Sequence, residues 1–205
     1  MDDKVKLKKE DIEYKVDNIV ATVTLEIDKK IDLVHVARKF IDSEYNPERF
    51  PGIVLRVPEP KATFLIFSTG KMVVTGSKTE NKLKKAVTKV VKDLKSIDIK
   101  IEDYTIKIEN FVASGGLNKR IDLNLATIMM EYSLYEPEIF PGLIYYMRDP
   151  KASFLIFSNG NFVCTGVKHE HQIAEAIFKL KDVIQENEIY YKSEEKSSSE
   201  EIVFI

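Results

Sequence analysis

The sequence predicts an α+β fold in which one β-α-β-β-β-α unit is used twice, with its strands in an antiparallel sheet and its helices on one face. The first observation behind this is a repeat. Displaced by 90 residues, 22 of the 45 positions 45–89 are identical to their counterparts at 135–179, where random pairing would give about three. The second is punctuation: β-rich runs at 53–57, 62–68 and 71–77 are bounded by the turn residues Pro58, Pro60, Gly70 and Gly76. The third is a helical period that closes each copy. Leu83, Ala86, Val87, Val90, Val91 and Leu94 fall on one helix face, as do Ile173, Ala176, Ile177, Leu180, Val183 and Ile184.

The elements follow in order. An alternating segment at 17–27 reads as the opening strand, and 31–41 as a short helix; the three β-rich runs and the long helix come next. The longest match sets 60–68 against 150–158, and Ile31-Asp32-Leu33 pairs with Ile121-Asp122-Leu123. Upstream the displacement becomes 92, aligning Asn18-Ile19-Val20-Ala21 with Asn110-Phe111-Val112-Ala113. The first copy therefore has two extra residues, which the turn around Asp28-Lys29-Lys30 accommodates. Two units are too few for a solenoid, so a duplicated domain with a pseudo-twofold axis is expected. The resulting boundaries are a charged, flexible leader at 1–15, a first copy at 16–95, a linker at 96–103, a second copy at 104–190 and an acidic, serine-rich tail at 191–205. The tail reads either as disorder or as a docking peptide anchored by Ile202, Val203, Phe204 and Ile205.

Composition excludes several classes. No apolar run approaches the length that spans a bilayer, so no membrane partner is expected, and no secretory signal is visible at the start. Cys164 is the single cysteine, which removes an intramolecular disulfide and suggests a reducing compartment. With a formal net charge of -2, a nucleic-acid binder would have to gather its cations on one surface. Catalytic signals are scarce. His169-Glu170-His171 is the best metal candidate, but histidines at i and i+2 do not share a helix face, so a surface turn is expected instead. No phosphate-cradling or dinucleotide motif occurs. The chain reads as a non-enzyme with no cofactor and no metal.

Strand alternation then assigns faces. With Ile19, Ala21 and Val23 in the core, Asn18, Val20 and Thr22 point outward; with Phe64 and Ile66 inward, Leu65 and Phe67 point outward. Val73 and Thr75 share a face, and the second copy repeats the pattern with Asn110, Val112, Leu155, Phe157, Val163 and Thr165. Leu-Ile-Phe runs also suit strands buried on both sides. If the face is open, such a contiguous apolar surface marks a binding site.

Asn-Ile-Val-Ala-Thr-Val at 18–23, Glu-Tyr-Asn-Pro-Glu-Arg-Phe-Pro-Gly at 44–52 and Gly-Lys-Met-Val-Val-Thr-Gly at 70–76 resemble the first repeat of the TATA-box-binding protein family. Tyr-Glu-Pro-Glu-Ile-Phe-Pro-Gly-Leu-Ile-Tyr at 135–145 resembles the second. The resemblance covers about residues 16–190 and implies a saddle, with a concave sheet facing the minor groove and helices on the convex side. This family is the standing example of minor-groove kinking by inserted side chains. It implies that Phe50 and Phe67, with Phe140 and Phe157, wedge into base steps at the two ends of the site, each Phe50 and Phe140 followed by a proline (Pro51, Pro141). Asn18, Asn110, Thr75 and Thr165 match positions that reach groove acceptors near the centre. Val20, Val112, Val73, Val163, Leu65 and Leu155 match the apolar floor. Arg56, Lys71, Lys78 and Lys168 match positions on or near phosphates.

An A·T pair shows only acceptors in the minor groove, whereas G·C adds the guanine amino group. Pressed against valine and leucine, that donor would lose its water at a cost of about 1–3 kcal/mol, which accounts for an AT preference. Two departures from the family pattern stand out. Tyr146 stands where arginine is usual, with Arg148 two residues on, and Asn161 replaces the usual lysine; a weaker phosphate grip by the second copy is expected. Glu136, Pro137 and Glu138 match the loop that meets transcription factor B, and the implied assembly includes the RNA polymerase pre-initiation complex. A homodimer of the DNA-free chain is left open. The short leader and acidic tail suggest an archaeal source, hence a cytoplasmic, nucleoid-associated protein; a eukaryotic source would mean the nucleus. Two rival readings are a regulatory paralogue that keeps partners but binds TATA DNA poorly, and an enzyme using the saddle as an accessory module.

Overall fold

The structure is a computed structural model that describes residues 12–191. Most of the expected leader and nearly all of the expected tail therefore lie outside the described residues. The first copy comprises β1 (Glu13–Leu25), α1 (Leu33–Lys39), β2 (Ser43–Tyr45), β3 (Gly52–Val57), β4 (Ala62–Phe67), β5 (Lys71–Ser77) and α2 (Glu80–Lys95). The second comprises β6 (Tyr104–Gly116), α3 (Leu123–Met129), β7 (Ser133–Leu134), β8 (Leu143–Met147), β9 (Ala152–Ile156), β10 (Asn161–Val167) and α4 (Glu170–Glu186). The strands form one open, curved antiparallel sheet in the order β2-β3-β4-β5-β1-β6-β10-β9-β8-β7. That order reads the same from either end, so the pseudo-twofold axis runs between β1 and β6. Here Asn18 lies opposite Val112, Ile19 opposite Phe111 and Val20 opposite Asn110.

Each short helix starts on an aspartate. Asp32 Oδ1 accepts the N–H groups of Val34 and His35 at 2.9 and 3.1 Å, and Asp122 Oδ1 those of Asn124 and Leu125 at 3.1 and 3.0 Å. These bonds satisfy backbone donors that the helix leaves unpaired. The long helices bury the faces that periodicity assigned, with Val183 only half-buried. Against them pack Ile19, Ala21, Val23, Phe64, Ile66, Met72 and Val74, with Phe111, Ala113, Phe154, Ile156, Phe162 and Cys164 in the second half. The helices cover this face alone, so the reading of strands buried on both sides does not apply.

Three differences from the sequence reading have physical causes. The edge strands β2 and β7 are two or three residues long, too short to show an alternation. The opening strand reaches back to Glu13, inside the expected leader, because Glu13, Tyr14 and Lys15 pair with Gly116, Gly115 and Ser114. Third, β1 and β6 are each interrupted where the register shifts, past Asp17 and past Glu109. There two successive residues oppose one, as in a β-bulge. The two extra residues of the first copy fall where expected. Leu25 and Leu117 donate to the Gly70 and Gly160 carbonyls, Ile31 and Ile121 to those of Ser68 and Ser158, and the chain between them is longer in the first copy.

Candidate nucleic-acid interface

The uncovered face gathers, as alternation requires, Asn18, Val20, Leu65, Phe67, Val73 and Thr75 from one copy and Asn110, Val112, Leu155, Phe157, Val163 and Thr165 from the other. All are half-buried. Thr22 lies opposite Val73, Val73 opposite Leu65, and Leu65 opposite Val54, giving a continuous apolar row. Its mirror runs from Val163 through Leu155 to Ile144.

At the centre, each asparagine is locked. Asn18 Oδ1 accepts the Gly76 N–H at 2.7 Å, and Asn18 Nδ2 donates to Thr75 Oγ1 at 2.9 Å. Asn110 repeats this with Gly166 at 2.7 Å and Thr165 at 2.9 Å. A backbone N–H can only donate, so the atom facing it must be the amide oxygen, and the network fixes the orientation of each side chain. The NH2 group is thereby turned away from Gly76 or Gly166. One of its two hydrogens goes to threonine and the other is left for an outside acceptor. The arrangement is a pair of fixed donors in an apolar floor, suited to a surface that offers acceptors and no donors.

At the ends stand the paired rings. Phe50 and Phe67 meet edge to face with centroids 5.6 Å apart, and Phe140 and Phe157 do so at 6.0 Å. Glycine follows each Phe-Pro for a steric reason. A Cβ on Gly52 would lie 2.9 Å from Phe50 Cε1, and one on Gly142 would lie 2.8 Å from Phe140 Cε1 and 3.0 Å from Phe157 Cε1. Pro51 and Pro141 are exposed beside the rings.

The cations differ between halves. Arg56 Nη1 holds Glu44 Oε1 at 2.5 Å across the edge strand, an ion pair whose side chains are 59% and 67% exposed. An exposed pair of this kind is weak and readily exchanged. Lys71 and Lys78 are exposed at the two ends of β5. Lys168 Nζ lies 3.7 Å from Glu109 Oε2, and Lys107 Nζ lies 3.0 Å from Glu109 Oε1. The Lys107 hydrogen bond leads, with Lys168 adding to it, in holding the Glu109 carboxyl below the usual range. Tyr146 is exposed where the first copy has Arg56. Arg148 does not take its place, since its guanidinium stacks 3.9 Å above the Tyr132 ring.

Sequence reasoning missed the cations Lys15 and Lys107 and the carboxylates Asp17 and Glu109. Ser114 Oγ donates to Asp17 Oδ2. Lys15 lies opposite Ser114 and Lys107 opposite Thr22, and opposed residues share a face; both lysines therefore stand on the open face. The signal was available: Lys15-Val16-Asp17-Asn18 and Lys107-Ile108-Glu109-Asn110 extend the 92-residue repeat by three positions. Glu136, Pro137 and Glu138 are exposed on the loop between β7 and β8. His169 caps α4, where the Gln172 Oε1 accepts the N–H groups of Lys168 and His169, both at 3.2 Å.

Among known proteins, the family described as "Transcription factor TFIID (or TATA-binding protein, TBP)" matches residues 13–97 and 105–187. The TATA-box-binding protein of Pyrobaculum aerophilum is 45% identical over 189 residues, 92% of this chain and 94% of its own length. That of Pyrodictium occultum is 48% identical over 166 residues, covering 80% and 82%. The solved structure of Methanococcus jannaschii TBP superposes with a TM-score of 0.78 at 40% identity, covering 85% of this chain and 99% of its own.

Proposed function

Because the chain belongs to the TATA-box-binding protein family, we propose that it is a general transcription initiation factor that binds and bends TATA-box promoter DNA through the minor groove. It recruits transcription factor B and, through it, RNA polymerase. The observation that carries this reading is the pair of locked asparagine amides, each presenting a free N–H from an apolar floor. A minor groove of A·T pairs offers adenine N3 and thymine O2 to these donors, and no donor of its own. A guanine amino group would meet Val, Leu or the outward N–H and remain unsatisfied. Phe50 and Phe67 at one end, and Phe140 and Phe157 at the other, supply aromatic contact to unstacked base steps. Arg56, Lys71, Lys78 and Lys168 supply phosphate contacts that also make affinity depend on salt.

The loop carrying Glu136, Pro137 and Glu138 is the docking point for transcription factor B. Its surroundings favour a protein partner on the second copy: Tyr132, Leu134 and Ile139 are exposed there, where the first copy has Asp42, Glu44 and Arg49. With archaeal relatives, the reading places the protein on the nucleoid. Among the described residues, no helix is long and apolar enough to cross a membrane.

The test is a fluorescence bending and binding titration on a TATA duplex and on one with G·C at its centre, with and without transcription factor B. Tight, bent, TATA-selective binding is expected, weakened by Phe140→Ala or Phe157→Ala. The regulatory-paralogue reading, which Asn161 and Tyr146 favour, requires partner binding without bending. Equal affinity for both duplexes would defeat the promoter-recognition reading, and absence of partner binding as well would defeat both.

A further inference from the structure

The second copy lacks two cations that the first has, with Asn161 at the place of Lys71 and Tyr146 at that of Arg56. The floor beside Phe157 is nevertheless not bare. Past the bulge at Asp17, β1 continues along β6 until Lys15 lies opposite Ser114 and Glu13 opposite Gly116. Glycine at 115 permits this. A Cβ on Gly115 would run into the Glu13 carbonyl, and one on Gly116, which faces Asn161, would lie 3.3 Å from Asn161 Oδ1. In the first copy the same positions are Val23 and Thr24. The result is a notch of about 590 Å³ whose walls include Lys15, Ser114, Gly116, Phe157, Asn161 and Val163.

Lys15 is 73% exposed, and its ion pair, to Asp17 Oδ1, is loose at 3.9 Å. Its counterpart Lys107 is held closer, at 3.0 Å from Glu109, and lies on β6 opposite Thr22, near Lys71 opposite Thr24. One end of the face thus has Lys71 and Lys107. The other has Lys15, with the Glu13 carboxylate further out in the same notch. We propose that Lys15, carried by the first copy's leading strand, makes the phosphate contact beside Phe157 that Asn161 cannot make for the second copy. This rests on the DNA-binding reading above. It also narrows the expected deficit of the second-copy grip, since the charge that remains at that end is supplied from the other half of the molecule.

The experiment measures affinity of the full chain for a TATA duplex across a salt series, for wild type, Lys15→Ala, Asn161→Lys and the double variant. Losing one phosphate contact reduces the slope of log affinity against log salt by about 0.9. The deficit of Lys15→Ala should therefore shrink about 3.5-fold between 50 and 200 mM salt. Asn161→Lys should restore both affinity and slope in the Lys15→Ala background. An unchanged slope in Lys15→Ala, or a double variant no better than Lys15→Ala, would overturn the proposal while wild-type binding stood. Failure of wild type to select TATA would instead remove the functional reading itself.

Discussion

Replacing Asn110 with aspartate separates folding from recognition. In the wild type, Asn110 Oδ1 takes the Gly166 N–H at 2.7 Å, and the Thr165 hydroxyl lies 3.2 Å from the same oxygen. An aspartate keeps an acceptor for both, so the turn at Gly166 and the β6–β10 pairing are retained. What changes is the outward atom, from a donor to a charged acceptor. Against A·T pairs it faces acceptors only, and a groove acceptor is left buried without a partner at about 1–3 kcal/mol. That is roughly a 5- to 150-fold loss of affinity, before repulsion from the phosphates is added. Against a central G·C pair, the carboxylate instead finds the guanine amino group, so discrimination should fall more steeply than affinity. Fluorescence anisotropy on the two duplexes reads both effects. The melting temperature should move by less than the roughly 2–4 °C that 1 kcal/mol gives in a chain of this size. An Asn110→Asp variant that folds normally and still binds TATA as tightly and selectively as wild type would refute the donor argument.

The wedge and its support give further expectations. Phe157→Ala should lose about 1–3 kcal/mol of base stacking and much of the bend, read by energy transfer between the duplex ends; an unaltered bend would remove Phe157 from the mechanism. Gly142→Ala places a Cβ 2.8 Å from Phe140 Cε1, so it should spread the ring pair and reduce bending more than it lowers the melting temperature. The reverse ranking would mean that the glycine serves the turn alone. Burial pushes the Cys164 thiol up to about 12. The native thiol should therefore resist iodoacetamide at pH 8, and fast labelling of folded protein would contradict its buried state. The unfolded thiol ionises near its ordinary 9.0, so the cysteine's contribution to stability is complete below pH 9 and is lost as pH climbs toward 12. Denaturant midpoints of the wild type and Cys164→Ala should accordingly converge over that interval.

Much of this architecture could be read from the chain because its signals are periodic. The alternation of Phe64 and Ile66 with Leu65 and Phe67 holds through an uninterrupted strand, and the helix faces repeat in both copies. The reading broke down where the period breaks. At each bulge a carboxylate, Asp17 or Glu109, stands next to the asparagine that faces outward, and a two-residue rule cannot place both. The amide lock was equally hidden, since its partner is a backbone N–H at Gly76 or Gly166 and any residue type carries one. The Arg56–Glu44 pair joins residues on adjacent strands, so only the register reveals it. Tyr146 and Asn161 were visible as departures from the pattern, but their neighbours were not. The stacking of Arg148 on Tyr132 and the arrival of Lys15 from the other half both depend on where strands lie in space.

The β1–β6 ladder has a consequence for how the molecule could diversify. Either half alone would expose a 13-residue strand along its whole length, an edge that invites pairing with another chain. A solitary half that paired with its own copy along that edge would form a symmetric dimer, in which every substitution is made twice. Joining the halves into one polypeptide ends that obligation. Lysine can become asparagine at one end while its counterpart stays, and a strand from one side can make good the loss on the other. Two ends that are chemically unlike can in turn tell the left of a promoter from its right. Covalent fusion thereby gives direction to a molecule whose plan is otherwise the same from either end.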